Sequence, residues 1–242
     1  MFEAGGRTAV VSGVANLTAE ALLKQGYNVA LCCHSQEAAD AMAAKMPAQY
    51  ADRFLPLHCM VGEEAPTRAL IREVLRRFGS LDVLVTGIGI HEKGCVADTS
   101  AEDFQRILDS HVRNVYSLIR LCLPTLLNGR APRIINFTCV DVRCGRFEYG
   151  VSTAAGKAAL ESVTRSVALE YAHTGLTANC VAVGALRKDF DPAQLEAVSR
   201  RIPLGRAAGA DDLAAAVCFL ASPEAGYITG AVLNVSGGAH LF

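Results

Sequence analysis

The chain has 242 residues, 51% hydrophobic and 19% charged, with a net charge of −1 and a pI near 6.6. This balance excludes a disordered chain and lacks the basic footprint of a nucleic-acid binder or a binder of anionic membranes. No stretch approaches the ~18 apolar residues of a spanning helix, and the opening "MFEAGGRTAVV" lacks the basic and apolar regions of a signal peptide.

In chain order, the first predicted strand is 8–12 (TAVVS), followed by a turn, "SGVANLT", that carries one glycine, Gly13. A helix at 17–25 leads to a strand at 28–33 (NVALCC), and a helix at 36–46 leads to a strand at 54–59 (FLPLHC). Next come a helix at 64–78, a strand at 81–86 (LDVLVT) and a long helical stretch at 101–127. The second half continues with a strand at 133–138 (RIINFT), a helix at 152–173 and a strand at 176–183 (LTANCVAV). A helix at 211–221 and a strand at 231–236 (AVLNVS) end the series. β-branched runs separated by helices predict a parallel sheet covered on both faces. With right-handed crossovers this is an α/β fold: one Rossmann-type, doubly wound domain over 1–242 with about seven parallel strands.

Nine cysteines are scattered along the chain with no Cys-x-x-Cys pair. They read as buried, reduced thiols of a cytoplasmic protein rather than as metal ligands, and no metal site is expected.

Three segments of the second half carry a specific resemblance: "LCLPTLLNGRAPRIINFT", "GKAALESVTRSVALEYAHTGLTANCVAVGAL" and "IPLGRAAGADDLAAAVCFLASPEAGYITGAVLNVSGG". They resemble the short-chain dehydrogenase/reductase family, most of all its 3-oxoacyl-carrier-protein reductase-like members, over about residues 8–238. The resemblance implies a dinucleotide site, a Tyr–Lys proton-transfer pair, a Ser and an Asn, a substrate lid at about 184–206, and helical subunit interfaces.

Several motif positions depart from the family's. The first turn is about four residues shorter than its glycine loop, and the adenine-binding Asp is replaced by Met60. Its Asn-Asn-Ala-Gly becomes Thr86, Gly87, Ile88 and Gly89, and the threonine that holds the nicotinamide amide aligns with Lys188. His34 falls where an Arg often selects the 2′-phosphate. Lys157 matches the family lysine, but Thr153 stands at the tyrosine position, and an aliphatic hydroxyl is too weak an acid to replace a phenol. Thr138 or Cys139 falls at the Ser, and either His111 or Asn114 at the Asn. Tyr149, eight residues before Lys157, is a candidate relocated acid.

Joint loss of these groups predicts no cofactor, with weak or atypical NAD(P) binding through Gly13, Gly87 and Gly89 as the alternative. The functional expectation is a non-reducing pseudoenzyme that pairs with itself or with a homologous subunit. A second reading is a cofactor-independent dehydratase, isomerase or cyclase. It would use His111, Cys139, Asp141, Tyr149 and Lys157 on an acyl-carrier or small carbonyl ligand, most sharply through a Cys139–His111 dyad. A third is an NAD(P)-dependent ketoreductase with a rebuilt site. Nucleic-acid and membrane partners are not expected. Arg187, Lys188, Arg200, Arg201 and Arg206 give the lid segment a basic cast.

Overall fold

The β-branched runs form the strands that their composition predicts. The computed structural model describes residues 4–90, 92, 94–145 and 150–241. Its strands are β1 (Thr8–Gly13), β2 (Asn28–Cys33), β3 (Phe54–His58), β4 (Val83–Gly87), β5 (Arg133–Cys139), β6 (Thr177–Val183) and β7 (Val232–Val235). All pair in parallel in the order β3-β2-β1-β4-β5-β6-β7. The α/β doubly wound architecture is therefore present, with seven strands.

The helices are α1 (Ala19–Lys24), α2 (Gln36–Lys45), α3 (Glu64–Phe78), α4 (Ala101–Leu108), α5 (Asn114–Leu126), α6 (Asp141–Cys144), α7 (Val151–Tyr171), α8 (Pro192–Ser199) and α9 (Ala210–Ala221). Alternate strand residues face opposite sides, and both sides are buried. Ala9, Val11, Leu31, Val85 and Phe137 face Leu22 and Leu23 of α1 and Leu213 and Val217 of α9. Val10, Ala30, Leu84 and Ile134 face Leu70 and Val74 of α3, Leu118 and Cys122 of α5, and Leu160 of α7. Each fully buried leucine contributes about 1.5–3 kcal/mol, so the two layers hold the sheet between them.

Local chemistry sets the ends. Ser35 caps α2 by accepting from the Ala38 N–H at 3.1 Å, and Ser100 caps α4 by accepting from the Asp103 N–H at 3.0 Å. Gly79, left-handed at φ 78°, ends α3.

Two expectations are corrected, and the lid segment gains a helix. β4 begins at Val83 because Asp82 pins neighbouring backbone: its carboxylate accepts from Thr8 N–H at 2.7 Å and Arg130 N–H at 2.6 Å. The stretch 101–127 is not one α-helix; a π-helical turn over Asp109–Arg113 separates α4 from α5. The lid segment contains α8, started by Pro192 and by an Asp191 side chain that accepts from Gln194 N–H at 2.8 Å.

Crossovers from β1 and from β4 leave in opposite directions. A cleft therefore opens between them at the C-terminal ends of the strands.

Candidate functional site

After β1 the chain turns directly into a 3₁₀ helix, Val14–Thr18, and then into α1. Gly13 makes this possible at φ 66°, ψ −141°, a conformation suited to glycine. A Cβ on Gly13 would overlap the Gly87 carbonyl, and one on Gly87 would lie 2.6 Å from Ala15 N. These two glycines let the shortened turn press against the end of β4.

Beside this contact lies a cavity of about 670 Å³, within the usual range for small-molecule sites. Gly13, Gly87 and Gly89 line it, with Cys32, Cys33, His34, Cys59, Met60 and Val61 toward β2 and β3, and Ser110 and Asn114 toward α5. A second cavity of about 210 Å³ continues past Val14, lined by Phe137, Thr138, Cys139, Lys157, Val183 and Leu186. Lys188 and Val14 line both.

The structure brings Lys157 and Cys139 into the smaller cavity. α7 carries Lys157 inward, where its ammonium donates to the Phe137 carbonyl at 3.0 Å and the Ile88 carbonyl at 3.3 Å. Burial pushes this lysine down to about 8, a shift opposed by the nearby Cys139 and Cys180. Burial pushes the Cys139 thiol up to about 12, with Asp141 adding to the shift and Lys157 opposing it. A thiol so placed stays protonated near neutrality and has little nucleophilic character. Thr153, one turn before Lys157, is fully buried, and its hydroxyl has no hydrogen-bond partner among the described residues. The neighbouring Thr138 hydroxyl donates to Glu161 at 3.2 Å.

His111 lies in the π-helical turn, and neither cavity is lined by it. Its Nε2 is 2.9 Å from the Ile90 carbonyl oxygen. Its ring fills the space beside Gly89, where a Cβ would overlap it, and beside Gly156, where a Cβ would lie 2.9 Å from the His111 Cβ and 3.2 Å from the ring. Asn114, three residues on, lines the larger cavity and packs against Gly62. Tyr149 lies outside the described residues. Among the described residues no cluster of His, Cys, Asp or Glu is placed to hold a metal ion, and no helix is long and apolar enough to cross a membrane.

Sequence reasoning missed the position of Lys188 between the two cavities, having read it only as a lost threonine within a basic segment. The rest of that basic cast is partly paired locally: Arg200 with Glu196 at 2.5 Å and Arg206 with Asp212 at 2.7 Å.

A family model described as enoyl-(acyl carrier protein) reductase matches residues 8–240. A 3-oxoacyl-[acyl-carrier-protein] reductase of Staphylococcus aureus is 32% identical over 239 residues, covering 97% of this chain and 96% of that protein. Meso-2,3-butanediol dehydrogenase of Serratia marcescens is 31% identical over 242 residues, covering 96% and 94%. In fold, the chain is similar to ligand-free aldohexose dehydrogenase of Thermoplasma acidophilum, with a TM-score of 0.83, 24% identity and coverage of 97% and 94%.

These relatives overturn the expectation that the chain has no cofactor. Reductases and dehydrogenases on this fold exchange hydride with a nicotinamide dinucleotide, because no protein side chain carries one. The cleft agrees with the correction: beside the short first turn a cavity runs along the strand ends, lined by Cys33, His34, Met60 and Val61 at the β2–β3 end, with a pocket lined by Lys157 at the other. The residues present fit such a group. By its motifs, its strand order and these relatives, the chain belongs to the short-chain dehydrogenase/reductase family.

Proposed function

We propose that the chain binds a nicotinamide dinucleotide along the cleft but does not reduce carbonyls by the family's phenol-based route. It serves instead as a non-reducing oligomer partner of itself or of an active relative. Cys33, Met60 and Val61 would hold the adenine end, the backbone at Gly87 and Gly89 the middle, and the Lys157 pocket the nicotinamide end. Bound there, the dinucleotide supplies hydride chemistry; the chain's own residues must supply the proton.

The observation that carries the non-reducing half is Thr153. Its hydroxyl is fully buried and unpartnered among the described residues, at the position where the family resemblance calls for a phenol. Cys139 does not compensate, since its proton is held up to about 12. Nine free cysteines fit a reducing, cytoplasmic setting, which is part of the proposal.

Calorimetric titration with NADH and NADPH should show binding, while mixtures with 3-oxoacyl thioesters or small ketones should leave the reduced cofactor unconsumed. Steady turnover would overturn the non-reducing half, and no heat of binding would overturn the other.

One observation favours a second reading, a reductase with a rebuilt acid. Lys157 lines the pocket and titrates at about 8, close enough to neutrality to donate a proton. On that reading, turnover exists, declines above pH 8 as the ammonium is lost, and vanishes in Lys157→Met.

A further inference from the structure

Among the described residues, only Val14 and Lys188 line both the larger cavity and the smaller one. A dinucleotide lying from the β2–β3 end to the Lys157 pocket must pass its pyrophosphate between them. Two negative charges at that point need a counter-charge or a set of backbone donors. Val14 is aliphatic, and its side chain is packed close to Gly87.

Among the described residues, the other basic side chains lining the two cavities are poorly placed for the task. His34 is exposed at the β2 end, and the Lys157 ammonium is already committed to two carbonyl oxygens inside the smaller pocket. Lys188 stands at the junction on a flexible four-carbon stem, half-exposed. Its ion-pair partner is the adjacent Asp189 at 2.9 Å. An exposed pair of this kind is exchanged for a phosphate at little cost.

We propose that Lys188 is the phosphate-binding cation of this cleft, taking over from the far wall the role of the glycine loop that the first turn lacks. This rests on the dinucleotide reading above. The residue that aligns with a lost nicotinamide contact thus becomes a gained one. It also changes the physics of the site: recognition by a mobile point charge is more salt-sensitive than recognition by fixed backbone amides.

The test uses the intact chain, with NADPH, ADP and adenosine as probes, in wild type, Lys188→Ala and Lys188→Arg. Lys188→Ala should weaken ADP and NADPH by about 10- to 100-fold, the usual effect of losing a charge-assisted contact, and leave adenosine unchanged. Lys188→Arg should recover most of the loss, and wild-type ADP affinity should fall as salt is raised. Equal ADP affinity in wild type and Lys188→Ala would overturn this assignment and leave the dinucleotide reading standing. Wild type that binds none of the three probes would overturn both. Because the side chain is half-exposed, an unchanged unfolding transition in each variant is expected and separates lost binding from lost fold.

Discussion

Gly89 and His111 are best understood together. Gly89 has φ 140°, and a Cβ there would overlap the His111 imidazole, while Gly156 leaves room on the ring's other side. Gly89 therefore accommodates a buried ring as well as lining the cleft. Gly89→Ala should lower stability by about 2–4 kcal/mol, through backbone strain and overpacking combined. In a His111→Ala background the overpacking part disappears, so the cost should shrink by at least ~0.5 kcal/mol. Urea unfolding of the two single variants and the double variant measures this. Strict additivity would show that backbone strain alone sets the cost. Thr153 makes the complementary point. The sequence shows that a phenol is missing, but only the structure shows a buried hydroxyl without a hydrogen-bond partner among the described residues.

Among the elements, α6 and α7 are fastened by one carboxylate. Glu161 on α7 is nearly fully buried and accepts from Arg143 at 2.9 Å, Arg165 at 2.9 Å and the Thr138 hydroxyl of β5 at 3.2 Å. Both arginines are partly exposed and regain water if the pair is broken, which limits the loss. Glu161→Gln keeps the shape but removes the charge, and should cost about 1–3 kcal/mol in thermal or urea unfolding. No measurable change would show that the arginines are held by solvent rather than by the carboxylate. The π-helical turn over Asp109–Arg113 is likewise an element-level device. It places Ser110 and His111 against the backbone after β4, where the Ser110 hydroxyl accepts from Ile90 N–H at 3.0 Å and His111 meets the Ile90 carbonyl.

For the molecule as a whole, the buried Lys157 couples stability to pH. Its ordinary value of 10.5 is lowered by burial to about 8 in the folded chain. Below pH 8 both folded and unfolded chains hold the proton, and the penalty is constant. Between 8 and 10.5 only the unfolded chain stays protonated, so stability rises with pH, by roughly 3 kcal/mol in all. Urea midpoints measured across that window should climb for wild type relative to Lys157→Met, in which this contribution is absent. Parallel curves would mean that the ammonium is not depressed.

The order of strands and helices was legible in the sequence because each element carries its own pattern: β-branched runs for strands and amphipathic stretches for helices. The family resemblance was legible for a similar reason, since it rests on contiguous segments. The short first turn and the residues at the family's catalytic positions could also be read directly, being changes of residue type at fixed spacing. What tertiary structure decided is everything that depends on distance across the sheet. It gave the cavity that persists beside the shortened turn, the Lys157 ammonium held by two carbonyls, the His111 ring between two glycines, and Lys188 at the junction of two pockets. These relations join residues from 20 positions apart, as Phe137 with Lys157, to 174 apart, as Val14 with Lys188. Sequence alone names the side chains, but their burial and mutual approach, which fix charge and proton affinity, exist only once the strands are side by side.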